Sequence, residues 1–456
     1  MKQIKWSINI GVGLGLIALA TFGGRAGNAV PETADTEPDT VVEAVSLPSL
    51  SYKVGIRKDS VLLPLAESEY SKDFSELKRF FDGLDSLQIG RDTVLTIVHL
   101  GDSHIQAGYY SGKVMRLFHE QFGNAGRGWV APLKLSKTNE PDDYFISSAA
   151  KEWVAGRTIQ HVKKCPVGIG GIGIQSASPS INLDLIIAPN NGAGYDFNRA
   201  ILYRSGKSMP MLPAGISKGL ADVHLAGGSG DMDVVADTFY LSRLTDTLQL
   251  HSTRRKQGTD QLLPASSFKN VYYGFNLTNG KPGILYHSIG VNGAMFVNYT
   301  DENYIRQLAL LNPSLLIVSL GTNETFGRRF NRDEFAGQVD AFVSLAKKYM
   351  PETAILLTTP PECYKRTYVN KKRTYVRNSN TQIAAKTIVD IARKERVACW
   401  DLFAATGGKN SCTKWYKNGL MGRDRIHFTK EGYREQGTLL YRALMQTYND
   451  EMKVGN

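Results

Sequence analysis

The first candidate for chemistry is a serine placed between a predicted strand and a predicted helix. Ser103 follows the apolar stretch 94–100, whose composition predicts a strand buried on both faces, and it precedes a helical pattern. A serine hydroxyl becomes an effective nucleophile only when a base removes its proton. The carboxyl end of a parallel strand suits it, because ligands bind in that crevice and the following helix N-terminus favours negative charge. Ser103 is therefore the candidate nucleophile.

The candidate base lies far downstream, with an acid three residues before it. Asp424 precedes His427 on a predicted turn that leads into a helix. The carboxylate can accept a hydrogen bond from one imidazole nitrogen, which leaves the other nitrogen to take the proton of Ser103. Such a spacing alone is usually an ordinary surface turn, so the prediction depends on the other motifs.

Acyl transfer also needs donors for the oxyanion of the tetrahedral intermediate, each worth roughly 3–4 kcal/mol. Asn323 follows a second predicted buried strand, 315–320, and can offer its side-chain amide. Gly293 can offer a backbone N–H that no Cβ shields. The backbone N–H of Ser103 is the third predicted donor. No cluster of His, Asp or Glu indicates a metal, and no cofactor is predicted.

Two kinds of pattern divide the chain. Predicted strands alternate with helical patterns before residue 136 and after residue 283, which predicts an α/β fold with a parallel sheet covered by helices. Between them, short β-type runs separated by turn residues predict an inserted all-β sandwich. The predicted α/β elements are strands 94–100, 315–320, 354–358 and 397–400 and helices 111–122, 332–350, 378–395 and 430–448; the predicted β runs of the insertion are 181–187, 200–203 and 238–241.

The first residues read as a targeting element. Lys2 and Lys5 precede an apolar run, 8–22, whose length suits a signal peptide and is short for a membrane span. Residues 1–29 are therefore a signal peptide or an uncleaved N-terminal anchor, and either would export the rest. Residues 30–50, rich in Pro, Thr, Glu and Asp, predict a linker.

Charge and cysteine usage narrow the possible partners. A formal net charge of +11 suits polyanionic surroundings or a solvated basic surface. The absence of zinc-finger spacing and of ribonucleoprotein motifs argues against nucleic acid. No CxxC pair occurs among the cysteines, which argues against structural zinc, and the sequence leaves disulfides and buried thiols equally open. The cysteines are Cys165, Cys363, Cys399 and Cys412.

A short near-repeat follows the third predicted α/β strand. The sequence of residues 365–369, KRTYV, recurs at residues 372–376. Its period is too short for a repeat architecture, so we expect the two arms of a basic hairpin or loop. It is either a solvent-exposed hairpin or a basic lip beside the active site.

The order of the candidate motifs resembles the four sequence blocks of the SGNH (GDSL-like) hydrolase superfamily, over about residues 55–135 and 283–450. The resemblance implies a three-layer, flavodoxin-like sheet fold, a Ser–His–Asp triad and ester hydrolysis through an acyl-enzyme. The gap from Ser103 to Gly293 exceeds that of compact members, and the β-rich insertion falls there. The four blocks are residues 101–104 (GDSH), Gly293, residues 321–324 (GTNE) and residues 424–427 (DRIH).

Three further segments resemble the peptidoglycan O-acetylesterases of Gram-negative bacteria: 101–106, 126–129 and 290–294. Those enzymes carry a carbohydrate-binding-like β-sandwich between the first and second blocks. The resemblance implies an O-acetylated polysaccharide, favouring peptidoglycan, as substrate of an acetylesterase in the periplasm or cell envelope. The patterns along the chain set the predicted domains at 51–136 and 283–456 (hydrolase) and 137–282 (insertion), and the membrane is reached only through a possible N-terminal anchor.

The sequence leaves alternatives open for the activity and for the roles of individual residues. The protein could be an O-acetyltransferase, an acetyl esterase on xylan or host glycans, or a non-catalytic glycan-binding protein. Structural roles compete with substrate binding for several residues near the motifs, and Asp102 is expected to cap its turn. The candidate substrate-binding residues are His104, Asn292, Arg127 and Trp129.

Overall fold

The computed structural model describes residues 75–150, 152–188, 194–214, 219–227, 233–254, 261–262, 269–327 and 329–454. The predicted targeting segment and linker, residues 1–50, lie outside these described ranges. Within them, no helix is long and apolar enough to cross a membrane.

Strands and helices of the described ranges are numbered in chain order. The strands are β1 (Val94–Gly101), β2 (Gly128–Val130), β3 (Tyr144–Ser147), β4 (Val154–Arg157), β5 (Ile172–Ser176), β6 (Ser180–Ile187), β7 (Phe197–Arg204), β8 (Leu212–Pro213), β9 (Leu220–His224), β10 (Val235–Thr245), β11 (Thr247–Thr253), β12 (Asn270–Thr278), β13 (Gly283–Gly290), β14 (Leu315–Ser319), β15 (Ala354–Thr358), β16 (Tyr364–Val369), β17 (Lys372–Arg377) and β18 (Ala398–Trp400). The α-helices are α1 (Ser75–Gln88), α2 (Ser103–Gln106), α3 (Tyr109–Phe122), α4 (Phe296–Tyr299), α5 (Glu302–Leu308), α6 (Arg332–Tyr349), α7 (Asn380–Glu395), α8 (Leu402–Ala405), α9 (Ser411–Lys417) and α10 (Lys430–Val454).

A parallel sheet with strand order β13-β1-β14-β15-β18 forms the centre of the α/β part. Its strands are almost wholly buried, as expected for apolar runs covered on both faces. This sheet and its helices confirm the predicted α/β fold. The sequence pattern did not reveal β13, because Tyr286, His287 and Ser288 interrupt its apolar run.

Two antiparallel sheets make up the β-rich insertion and confirm it. One has the order β4-β5-β12-β7-β10-β9, and the other has the order β3-β6-β11-β8. β2 also pairs with β12, although it precedes residue 137, the predicted start of the insertion. β12 is followed after a short connection by β13, so the chain passes directly from the antiparallel sheet to the edge of the parallel one.

Local sequence signals explain where the main helices begin and pack. The Asn331 side chain caps α6 by accepting hydrogen bonds from the Asp333 and Glu334 N–H groups. α3 packs against α10, where the rings of Phe118 and Tyr441 meet edge to face at 5.0 Å.

All four cysteines are buried free thiols. The buried-thiol alternative therefore describes them, and they form no disulfide.

Candidate active site

Ser103 lies at the turn from β1 into α2. Gly101 ends the strand, and a Cβ there would come within 2.8 Å of the Ser319 carbonyl oxygen and 2.3 Å of the Ile105 side chain, so only glycine fits. Asp102 caps the helix, since its Oδ1 accepts a hydrogen bond from the His104 N–H at 2.9 Å. The strand, the glycine and the cap together place the Ser103 hydroxyl at the edge of the parallel sheet.

His427 meets Ser103, and Asp424 meets His427. The Ser103 Oγ lies 2.9 Å from Nε2 of His427. Nδ1 of the same ring lies 2.7 Å from Oδ2 of Asp424. The other carboxylate oxygen of Asp424 accepts hydrogen bonds from the N–H groups of Ile426 and His427 at 3.0 Å. Asp424 thus shapes its own turn while it orients the imidazole.

The protonation of this pair suits proton transfer. The hydrogen bond to Asp424 raises the pKa of His427 above its ordinary value. Burial opposes the charge of Asp424, but hydrogen bonds from His427 and from the turn outweigh burial and lower the pKa of that carboxyl to about 2. Asp424 is therefore ionised, and His427 is a strengthened base.

The predicted oxyanion donors line the same cleft as Ser103. Gly293 is exposed there in a left-handed conformation, with φ of 81°, which favours glycine. The amide nitrogen of Asn323 donates to Oδ2 of Asp102 and to the carbonyl oxygen of Ala294, both at 3.0 Å. These two bonds use both hydrogens of the Asn323 amide, so an oxyanion must share or displace one of them.

Gln106 connects the elements around the cleft, a role the sequence did not reveal. Its Oε1 accepts from the Asn292 N–H at 2.8 Å, next to Gly293. Its Nε2 donates to Oγ1 of Thr138 and to the carbonyl oxygen of Asn139. Because Gln106 is buried, it fixes the turn at Gly293 against the residues that lead into the insertion.

The cleft has a volume of about 560 Å³. Of the candidate substrate-binding residues, Asn292 lines it, and its side-chain amide donates to Oδ1 of Asn139 at 2.7 Å. Most of its other walls come from residues outside any motif, which explains why sequence reasoning missed them. Those outside any motif are Ala107, Tyr109, Asn139, Phe326, Phe428 and Tyr433, whereas Thr322 and Ile426 belong to the GTNE and DRIH blocks.

Three of the predicted substrate-binding residues do not line this cleft. Arg127 is 2% exposed and forms a buried ion pair with Asp143, with 2.6 Å between Nε and Oδ2. Trp129 is 1% exposed and packs against Tyr203. Trp129 lies in β2, which pairs with β12 in the antiparallel sheet, and Arg127 directly precedes β2.

His104 is the third of these residues, and it lies behind the cleft. It is buried, and its Nδ1 lies 3.0 Å from the Tyr433 hydroxyl. Its ring centroid is 5.4 Å from that of His427. Burial lowers the pKa of His104 to about 3, so its ring is neutral. It lies next to His427 and does not compete with His427 for the proton of Ser103.

Two buried carboxyl groups support the oxyanion loops. Burial raises the pKa of Asp102 to about 7, although the hydrogen bond from the His104 N–H acts to lower it. Burial also raises the pKa of Glu324 to about 7. Oε1 of Glu324 accepts from the Phe296 N–H at 2.9 Å, which joins the loop of Asn323 to the start of α4.

A known protein family matches the end of the insertion and most of the second α/β segment of this chain. Residues 265–435 match the model of the GDSL-like Lipase/Acylhydrolase family. No curated protein sequence matches the chain. The family match confirms the predicted resemblance to the SGNH hydrolases and the prediction that the protein is an esterase.

A solved structure shares the fold over most of the chain. The structure of a peptidoglycan O-acetylesterase in action is 20% identical over 82% of this chain and 96% of its own, with a TM-score of 0.63. A GDSL-like lipase from Bacteroides thetaiotaomicron is 18% identical over 36% of this chain and 76% of its own, with a TM-score of 0.27. An aryl esterase from M. smegmatis is 18% identical over 36% of this chain and 79% of its own, with a TM-score of 0.27.

Proposed function

We propose that this protein removes O-acetyl groups from a cell-wall polysaccharide, with peptidoglycan as the favoured substrate. The hydrogen-bonded series from Asp424 through His427 to Ser103, at the wall of an open cleft, is the observation that carries the proposal. The fold that 82% of the chain shares with a peptidoglycan O-acetylesterase supports the choice of substrate. That substrate implies an extracytoplasmic location, in keeping with the predicted export signal.

Acylation begins when the Ser103 oxygen attacks the acetyl carbonyl carbon. Nε2 of His427 takes the hydroxyl proton, and the carbonyl π electrons move onto oxygen to give a tetrahedral oxyanion. The oxyanion collapses, the bond to the sugar oxygen breaks, and the imidazolium gives its proton to that oxygen. The sugar leaves with a free hydroxyl, and the acetyl group remains on Ser103.

Deacylation repeats these roles with water. Nε2 of His427 removes a proton from a water molecule, whose oxygen attacks the acetyl-enzyme. Collapse of the second oxyanion breaks the bond to Ser103, which recovers its proton from His427, and acetate leaves. Ionised Asp424 stabilises the imidazolium in both halves, because it accepts from Nδ1 at 2.7 Å.

We assign the oxyanion to the N–H groups of Ser103 and Gly293 and to the Asn323 amide. The first N–H groups of a helix have no partner within it, and Ser103 is the first residue of α2. Asn323 would turn one hydrogen from Asp102 towards the oxyanion as charge develops. That exchange costs little while Asp102 is protonated, and burial favours its protonated form.

Release of acetate from purified O-acetylated peptidoglycan tests this function. The matched control is the same polymer after mild alkaline removal of its acetyl esters. We expect Ser103-dependent acetate release from the first polymer and none from the second. Absence of release from the acetylated polymer would overturn the proposal, and transfer of acetyl to an added sugar in preference to water would make the protein a transferase.

A further inference from the structure

A second pocket adjoins the catalytic cleft. It has a volume of about 760 Å³. It shares Phe326 and Ile426 with the cleft, and the triad residue Asp424 also lines it. We call it the basic pocket, and it is lined by Phe326, Lys365, Arg366, Arg373, Tyr375, Arg423, Asp424 and Ile426.

The near-repeat of the sequence builds one wall of this pocket. Its two copies form the arms of the antiparallel hairpin β16–β17, which confirms the predicted hairpin. Asn370 and Lys371 form the turn, with φ of 48° and 59°, as a two-residue hairpin turn requires. Arg366 lies opposite Tyr375, and Arg373 lies opposite Tyr368, so both arginines lie on one face of the hairpin.

The hairpin is fixed to the turn that carries the triad. The Tyr364 N–H donates to the Arg425 carbonyl oxygen at 2.9 Å. The Arg425 guanidinium lies between two rings, 5.3 Å from the centroid of Tyr375 and 3.4 Å from that of Tyr416. Arg425 stands between Asp424 and His427 in the chain, so the basic pocket has a defined position relative to the reacting serine.

The positive charge of the pocket is unneutralised. Lys365, Arg366, Arg373 and Arg423 line it, and within the described ranges none of the four has an acidic partner. Asp424 is the one acid among the lining residues, and its hydrogen bonds go to His427 and its own turn. Arg377, on the same hairpin, shows the contrast, because it pairs with Glu362 at 2.7 Å.

We infer that the basic pocket binds an anionic oxygen group, a carboxylate or a phosphate, on the same polysaccharide whose acetyl ester occupies the cleft. The inference rests on the proposed function. Guanidinium forks match the two oxygens of either anion, and the shared residues Phe326 and Ile426 make the two sites contiguous. The peptides of peptidoglycan end in carboxylates, so a bound strand could place one here.

Such binding would select and orient the substrate. A strand held by its anion at the basic pocket presents a neighbouring ester to Ser103, while an uncharged ester gains nothing from the pocket. Arg366 and Arg373 are exposed to solvent, so we expect the loss of both to weaken binding about tenfold, less than the loss of buried charged hydrogen bonds would.

The test measures binding to the Ser103→Ala protein by calorimetry. The ligand is a peptidoglycan tetrasaccharide with its peptides, and the uncharged comparison has its carboxylates converted to amides. We expect Arg366→Gln with Arg373→Gln to weaken binding of the charged ligand about tenfold. The matched control, Lys371→Gln with Lys372→Gln, removes the same charge from the same hairpin outside the pocket and should bind as the parent does.

A phosphorylated chitin tetrasaccharide forms the second arm. Preference for it over the peptide-bearing ligand, lost in the arginine variant, would assign the anion as phosphate, and the reverse preference would assign it as carboxylate. Equal affinity of the arginine and lysine variants for both charged ligands would overturn the inference. Because binding is read without catalysis, loss of acetate release with this selectivity intact would refute the proposed function alone.

Discussion

The Ser103 hydroxyl oxygen lies 2.9 Å from Nε2 of His427, although 324 positions separate the two residues in the chain. Ser103 is placed by the end of β1, and His427 is placed by the turn before α10. The contact therefore depends on the whole α/β part being folded. The contacts that surround this pair can be broken one at a time by substitution.

Asp424→Asn should lower kcat about 10²- to 10⁴-fold. The asparagine can still accept from the Ile426 and His427 N–H groups, but its amide would face Nδ1 and favour the wrong imidazole tautomer. The pKa of His427 should also fall, because Asp424 raises it. Since the base must be neutral, the acid limb of kcat/KM against pH should move to lower pH; an unmoved limb would contradict this role.

Gln106→Ala should lower kcat about tenfold or more in protein that still folds, and it should lower the melting temperature modestly because buried hydrogen bonds are lost. The variant loses the acceptor of the Asn292 N–H and frees the turn at Gly293, so an oxyanion donor loses its fixed position. Steady-state kinetics on a small acetyl ester provides the measurement. A rise in KM alone, with kcat unchanged, would show that Gln106 acts on substrate binding and not on the oxyanion site.

Glu324→Gln should make the protein more stable than wild type above neutral pH. The carboxyl has its pKa raised from 4.5 to about 7 in the folded state, so folded protein holds a proton that the unfolded chain releases over this range. The contribution of Glu324 to the free energy of unfolding of the wild type is therefore complete below about pH 4.5, and it is lost as the pH rises to about 7.

Glutamine does not ionise, so the variant does not lose stability at this position as the pH rises. Its side-chain oxygen still accepts from the Phe296 N–H. Urea unfolding at several pH values should show the variant gaining up to about 3 kcal/mol on wild type between pH 4.5 and 7. A difference between the two proteins that stays constant with pH would contradict the buried, protonated state of Glu324.

Arg127→Leu should destabilise the fold by about 3–5 kcal/mol without altering KM. It strips Asp143 of its buried partner, and Arg127 is not part of the cleft wall. The double variant with Asp143→Leu should recover most of the loss, because it removes the unpaired charge. A raised KM in the folded single variant would show instead that Arg127 takes part in substrate binding.

Local sequence signals were sufficient for most of the long α/β elements, but not for α1 or β13. Apolar runs of strand length and helical periodicity placed β1, β14 and β15 within one or two residues of their observed bounds. Such strands are recognisable because both of their faces are buried. β13 escaped because a strand whose middle holds His287 and Tyr286 does not read as an apolar run.

The sequence predicted those site residues whose type the reaction itself requires. Ser103, His427 and Asp424 are brought together as their motifs suggested. The burial of Arg127 against an aspartate sixteen residues later could not be predicted, because no local sequence pattern shows it. Gln106 and the walls of the cleft depend on contacts between distant segments, which no local pattern encodes.

Acetate release by wild type and by Ser103→Ala, from the same O-acetylated peptidoglycan, tests the central claim most directly. Removal of the nucleophile should lower the rate about a thousandfold or more while the melting temperature stays near that of wild type, because Ser103 lies at the cleft and only partly buried. Equal release by the two proteins would contradict the account.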